Sequence, residues 1–502
     1  MPATVSEDPA RAETPDRRRY LILAICCMSL FIVGLDNTIV NVALPSIRHE
    51  LHASVPQLQW TIDSYTLVLA SLLMLSGSMA DRLGRARIFK VGLVLFTLGS
   101  LLCSLAPTVQ LLIVFRMVQA VGGSMLNPVA MSIIRNTFTD ARERAQAIGL
   151  WAGVIGLSMA MGPVLGGALV DAGSWRSVFW VNVPIGLLAA ALTWRFVPES
   201  KAPRPRRVDP VGQLLVIVLL ASTVYAIIEG PSHGWLSGEI LGLFALAAVA
   251  VGALVHYERR RVDPLIDVRF FASVPFSGAT VIAIAAFVGL GAFLFLNTIY
   301  LQDSRGLSPF HAGLYTLPMA AITVVVGPLT GRLVGARGAR PSLVIGGGAI
   351  LLSGLMLTGL SETTSPVWLL FGYVVFGIGF GSVNPPITNT AVSGMPPAQA
   401  GVASAVASTS RQVGQSLGVA LAGAIAVVAT TDPALLATGT HPGWWLVAGC
   451  GALIVALGLL TTTRWALDTA TATAARLCED DPDALAPGPI EAERPVPARV
   501  GA

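Results

Sequence analysis

About fourteen apolar stretches, each near 20 residues, follow one another between residues 21 and 463, and this recurrence excludes most of what a chain can fold into. They run near 21–45, 58–80, 88–106, 108–130, 146–170, 178–197, 211–228, 238–256, 276–300, 312–334, 341–360, 367–391, 401–428 and 443–463. At about 1.5 Å per residue, each is long enough to cross the ~30 Å hydrocarbon layer of a bilayer as a helix. The charged fraction of 12% is about half that of a soluble domain, and the mean hydropathy is +0.71. The expected fold is all-α and integral to a membrane. The stretches at 211–228 and 238–256 are the shortest and the least clearly separated.

Cationic side chains alternate from loop to loop. Arg17, Arg18 and Arg19 precede the first stretch. Arg82, Arg85, Arg87 and Lys90 follow the second, Arg135, Arg142 and Arg144 the fourth, Arg195, Lys201, Arg204, Arg206 and Arg207 the sixth, Arg259, Arg260 and Arg261 the eighth, and Arg332, Arg337 and Arg340 the tenth. The other set of loops holds Arg48, Arg176 and Arg305. Positive residues mark the cytoplasmic side, so both termini are expected inside and the number of spans is even. The net charge of +4 follows from this topology and gives no ground for nucleic-acid binding. No cleavable signal peptide is evident, because the polar head runs straight into a full-length span. Cys26, Cys27, Cys103 and Cys450 lie in apolar stretches and Cys478 in the polar tail, without metal-ligand spacing or a disulfide framework. His49 and His52 stand close together with no Cys nearby, so no metal site is expected.

The chain resembles itself at an offset of about 250–260 residues, the mark of a parallel repeat. Asn37-Thr38-Ile39 returns as Asn297-Thr298-Ile299, Gly77, Arg82 and Leu83 as Gly327, Arg332 and Leu333, and Asn127-Pro128 as Asn384-Pro385. Transporters built this way place the substrate between their halves near the midplane. The expected organisation is a polar N-terminal tail at 1–19 and a six-helix bundle at 20–197. An inserted helix pair with polar linkers follows at 198–275, then a second six-helix bundle at 276–464 and a disordered tail at 465–502.

A charge at the centre of a bilayer costs about 2.5–3.5 kcal/mol on insertion scales, so each one is a functional candidate. Asp36 lies nine residues before Pro45, and Arg116 nine residues after Pro107. Equal depth makes them partners, either as a static salt bridge or as a pair whose opening and closing loads and releases a proton. Asp63 has Trp60 at i−3 on the same helical face. A carboxylate beside an indole can hold an organic cation by charge and cation–π attraction; the alternative is an interfacial Asp in water. Arg411 has no acid inside the second-half stretches to pair with. Gly153 and the string Gly162, Pro163, Gly166 and Gly167 allow close helix approach and a bend. In the turn Gly77–Arg87, Asp81 can favour a helix N-terminus or an Arg and latch the inner gate; the alternative is a turn that only sets topology. Its second-half copy has Gly331 in the place of Asp81. Neither Lys90 nor Lys201 stands in a phosphate-binding loop, so energy is expected from an ion gradient and not from a nucleotide.

Gly77-Ser78-Met79-Ala80-Asp81-Arg82-Leu83-Gly84-Arg85-Ala86-Arg87 is similar to the loop between the second and third helices of major facilitator superfamily transporters. Leu35 to Pro45, Arg116 to Gly123, the Gly153–Gly167 string, and Trp175-Arg176 with Phe179 to Pro184 resemble the motifs of the 14-helix drug:proton antiporter branch. Ser308-Pro309, Ala312-Gly313-Leu314, Leu317-Pro318 and Arg411-Gln412 support the likeness in the second half. The resemblance implies two six-helix bundles plus two inserted helices. It implies proton-coupled export of amphiphilic or cationic drugs or antibiotics by a monomer in the bacterial cytoplasmic membrane, with the proton motive force in the place of a cofactor. Asp36 and Arg116 would couple protons. Asp63, Trp60 and Tyr65, in a WxxDxY pattern, would bind substrate together with Asn37 and Asn41. Gly77, Asp81, Arg82, Gly84 and Arg85 would form the gating loop. Two departures stand out. Ala120 replaces a usual Gly, and the second half lacks the intramembrane acids of some multidrug members, which argues against divalent cations. A dedicated exporter of one antibiotic is the alternative, and a non-transporting receptor or regulator is the reading from another class. An enzyme is not expected.

Overall fold

The computed structural model describes residues 16–202, 208–261, 264–392, 395, 399–429 and 436–480, and these are helical with no strand among them. The first half contains α1 (Asp16–Leu51), α2 (Val55–Leu83), α3 (Arg85–Ser104), α4 (Val109–Thr137), α5 (Ala141–Ala172), the short α6 (Ser177–Trp180) and α7 (Asn182–Phe196). Then come α8 (Pro210–His233) and α9 (Gly238–Glu258), two separate helices where the sequence left their separation weakly marked. The second half contains α10 (Val274–Thr298), α11 (Pro309–Arg337), α12 (Ala339–Leu357), α13 (Pro366–Val392), α14 (Ala400–Ala429), the short α15 (Leu436–Gly439) and α16 (His441–Thr461). By length and composition, 13 helices among the described residues can cross a membrane, and the 30-residue α14 is a further helix of membrane length. The tail from 465, expected to be disordered, is helical to Asp480 in α17 (Arg464–Asp480), which packs against α10. Its residues 481–502, like 1–15 of the N-terminal tail and 203–207 of the first linker, lie outside the described residues.

Local chemistry explains the corners. Ser54 and Gln57 form a reciprocal capping box that starts α2, with the Ser54 amide donating to Gln57 Oε1 at 2.9 Å. Gly84 divides α2 from α3 at φ +118°, and Gly338 divides α11 from α12 at φ +76°. Both angles favour glycine, and the two corners occupy the same place in each half.

The repeat is visible in the packing. In the first half α1 lies on α5, α2 on α4, and α3 on α4 and α7. In the second half α10 lies on α14, α11 on α13, and α12 on α13 and α16. Between the halves the pairing is reciprocal: α2 meets α14 and α5 meets α11. The pair α8–α9 sits outside this frame, with α8 against α2 and α14. α9 has 17% of its apolar window buried against 83% for α10, so it is a peripheral helix while α10 is central.

The two halves touch at one end and part at the other. At the end away from the Arg-rich loops, a Cβ on Gly167 would lie 2.4 Å from the Pro309 carbonyl oxygen, and one on Gly313 2.3 Å from that of Pro163. At the Arg-rich end, Gly149 and Gly153 of α5 and Gly327, Gly331 and Gly335 of α11 have nothing within 4 Å of an added Cβ. The halves therefore meet backbone to backbone at one end of α5 and α11, while these glycines at the Arg-rich end meet no neighbour. We expect Gly313→Val to overpack the seam by about 1–3 kcal/mol. Spin labels on α5 and α11 at the meeting end should then move apart; an unchanged distance distribution would contradict the seam.

Candidate functional site

Asp36 and Arg116, matched in depth along the sequence, are in direct contact: Arg116 Nη1 lies 2.5 Å from Asp36 Oδ2. Helix geometry builds the rest of the cluster. Gln119 stands three residues after Arg116 on the same face of α4. It accepts from Arg116 Nη1 at 2.7 Å, and its amide nitrogen donates to Asp36 Oδ1 at 2.8 Å and to Ser100 Oγ of α3 at 2.6 Å. Asn182 Nδ2, at the start of α7, donates to Asp36 Oδ1 at 3.3 Å. Arg116 Nε donates to the Thr61 carbonyl of α2 at 3.1 Å, and the guanidinium lies 4.2 Å from the Tyr65 ring centroid. The cation is thus neutralised by a carboxylate, two oxygens and a π face.

Asp36 is 0% and Arg116 1% exposed, so the pair is closed to water in this state. Asp36 itself is covered by α4 and α7, and another side of α1 by α5, where Gly162 leaves room for Thr38, whose Oγ1 would lie 1.9 Å from a Cβ there. Gly166 likewise makes room for Ile39. The glycine string is therefore divided: Gly162 and Gly166 admit α1, Pro163 and Gly167 form the inter-half seam, and Gly153 faces open space.

The WxxDxY residues also separate. Trp60 Nε1 donates to Glu229 Oε1 of α8 at 3.0 Å, and its ring lies 5.8 Å from that of Tyr225. Asp63, fully buried, accepts from Thr66 Oγ1 at 3.3 Å, and its Oδ2 has no hydrogen-bond partner. Ser416 of α14 faces this carboxyl. Tyr65 belongs with Arg116, not beside Asp63 and Trp60 as the pattern suggested. The reason is helical rotation, since residues two apart point in different directions. Asn41 Nδ2 bonds the Asn37 and Thr38 carbonyls, while Asn37 Oδ1 and Asn41 Oδ1 are buried and unpartnered.

In the gating loop, Arg85 Nη2 donates to Asp81 Oδ1 at 2.9 Å, while Arg82 is exposed. The turn is held by Glu199, whose two carboxylate oxygens each accept at 3.0 Å from the Ala86 and Arg87 amides at the start of α3. Gly77 sits beside Pro128 of α4. At the opposite face, Asp171 Oδ2 of α5 accepts from Ser308 Oγ at 2.8 Å and the Phe310 amide at 3.2 Å, capping α11 across the halves. A π-helical turn, Ile299–Ser304, brings Gln302 to the Val42 carbonyl at 2.9 Å and Asp303 to 3.6 Å from Arg48.

A sequence model of the Major Facilitator Superfamily matches residues 26–419. The chain belongs to the Major Facilitator Superfamily. Among curated members it is 37% identical to the multidrug resistance protein Stp of Mycobacterium tuberculosis, over 84% of this chain and 79% of Stp. It is 34% identical to the methylenomycin A resistance protein of Streptomyces coelicolor, over 84% of this chain and 89% of that protein. The fold is similar to that of a D-xylose-proton symporter, with TM-score 0.64 at 16% identity, over 88% of this chain and 97% of the symporter. It is thus a membrane-embedded chain with a transporter fold.

Gln119, Ser100, Asn182 and Glu199 were not singled out as site residues by the sequence. The one local signal was the i, i+3 spacing of Arg116 and Gln119, in a superfamily motif that otherwise reads as generic helix. We expect Asp36→Ala to lower stability by about 3–5 kcal/mol, the cost of leaving a buried cation uncompensated, and a further Arg116→Leu to restore part of it. Thermal unfolding in detergent checks both, and equal loss in the single and double variants would contradict the account.

Proposed function

We propose that this chain is a proton-coupled antiporter that exports amphiphilic or cationic drugs or antibiotics across the bacterial cytoplasmic membrane. The observation that carries the reading is an ion pair, Asp36–Arg116, fully buried inside one half of a chain 37% identical to a multidrug resistance protein. Both termini and the Arg-rich loops lie in the cytoplasm, in keeping with the positive-inside rule. The state described is then inward-facing. A lipophilic substrate enters between α5 and α11 from the Arg-rich face. The halves rock about the α2–α14 and α5–α11 contacts. As the seam between α5 and α11 opens, Asp36 becomes reachable from outside and takes a proton, which loosens its pairing with Arg116 and weakens the hold on substrate. The return stroke delivers the proton to the cytoplasm. The chain works as a monomer, and the proton motive force supplies the energy.

A second reading, export of a single antibiotic, is favoured by the likeness to the methylenomycin A resistance protein. A resistance panel in a pump-deficient host, with and without an uncoupler, separates them: broad, uncoupler-sensitive resistance supports multidrug export, and resistance to one compound supports the dedicated exporter. Asp36→Asn is expected to abolish pH-driven dye efflux from everted vesicles while the protein still reaches the membrane. Efflux at the unmutated level by Asp36→Asn overturns the coupling role.

A further inference from the structure

The two intramembrane arginines are treated very differently. Arg116 has a carboxylate, two further oxygens and an aromatic face. Arg411, in α14, donates from Nη2 to Thr388 Oγ1 of α13 at 2.5 Å. Its Nε is buried without an acceptor, and no carboxylate among the described residues lies within 4 Å of it. A guanidinium cannot escape by losing its proton. Eleven residues from the start of α14 at Ala400, it lies about 16 Å along the helix from the Arg-rich end, at mid-membrane depth.

Its direction follows from its neighbours on α14. Gly414 and Gly418 pack onto α10, where an added Cβ would meet the Ile284 and Val288 carbonyls. Gln415, one turn on, reaches the Asn37 carbonyl of α1 at 3.5 Å. Position 411 falls between these two directions, toward the place where α10 and α1 diverge beneath the seam. The residue is half-buried while its guanidinium Nε is enclosed. On α1, beside Gln415, Asn37 Oδ1 and, one turn further on, Asn41 Oδ1 are buried without partners. Arg411 thus holds one neutral hydroxyl and leaves its Nε donor open, with no counter-charge among the described residues.

Resting on the export reading above and narrowing it, we propose that Arg411 is the anion-binding half of the substrate site, so that the transporter accepts amphiphiles bearing an acidic oxygen such as a carboxylate or phenolate. The planar fork of the guanidinium suits such a group, and the ligand completes the bonds that the protein leaves open.

The test uses two dyes built on one ring system, anionic fluorescein and cationic rhodamine 6G, with the full-length protein. Binding is measured in detergent, with and without added phosphatidylglycerol, and efflux in proteoliposomes under a proton gradient. Arg411→Gln should weaken fluorescein binding by about tenfold or more, the loss of a charge-assisted hydrogen bond. That loss should exceed any loss for rhodamine 6G by a similar factor. Arg411→Lys should recover part of it. Equal losses for both dyes would make Arg411 a structural cation and overturn the proposal, as would no loss for either or no binding of fluorescein by the unmutated protein. Displacement of fluorescein by phosphatidylglycerol would assign the site to a lipid phosphate and overturn it too. Failure of the unmutated protein to export rhodamine 6G would count against the export reading, while the binding arm still decides the role of Arg411.

Discussion

The contact between Asp36 and Arg116 organises the first half. Through it and its hydrogen bonds, five helices that are distant in sequence are joined at one depth: α1 by Asp36, α2 by the Thr61 carbonyl, α3 by Ser100, α4 by Arg116 and Gln119, and α7 by Asn182. In hydrocarbon neither charge has a substitute in water, so the helices that complete the network must stay together while the halves move. The first half is in this sense a rigid body with its charge inside.

The second half answers the same position without charge. The repeat that aligns Asn127-Pro128 with Asn384-Pro385 sets Tyr373 in the place of Arg116 and Phe376 in the place of Gln119. Tyr373 donates its hydroxyl to Asn297, and Phe376 stacks on Phe293, with ring centroids 4.2 Å apart. One half therefore closes its core by charge neutralisation and the other by aromatic packing. The pseudo-symmetry extends to helix pairing and to the glycine corners at 84 and 338, and it ends at the chemistry.

Much of this could be read in the sequence because membranes make it legible. Apolar length reveals spans, arginine alternation reveals sidedness, and an ionised residue among apolar ones announces itself. Asp36 and Arg116 paired for that reason. Uncharged polar partners do not stand out in the same way. Gln119, Ser100 and Asn182 look like ordinary helix residues until three dimensions bring them to one carboxylate. Glu199 and Asp171 were hidden for another reason: each acts on a helix start far along the chain, at 86–87 and at 308–310, and end-capping of that kind leaves no spacing to detect. The WxxDxY residues show the limit of a pattern, which gave neighbours in sequence where the helix supplied three directions: Trp60 toward α8, Asp63 toward α14 and Tyr65 toward α4.

The seam at Pro163, Gly167, Pro309 and Gly313 is main chain against main chain. Bare backbone has no rotamers to reset, so at these points the two surfaces can part and rejoin in the same register, with the Asp171 cap on Ser308 and Phe310 as a side-chain clasp beside them. A transporter that must cycle without leaking ions is thereby given a gasket whose fit depends on the absence of atoms, and any residue larger than glycine at 167 or 313 would act as a wedge.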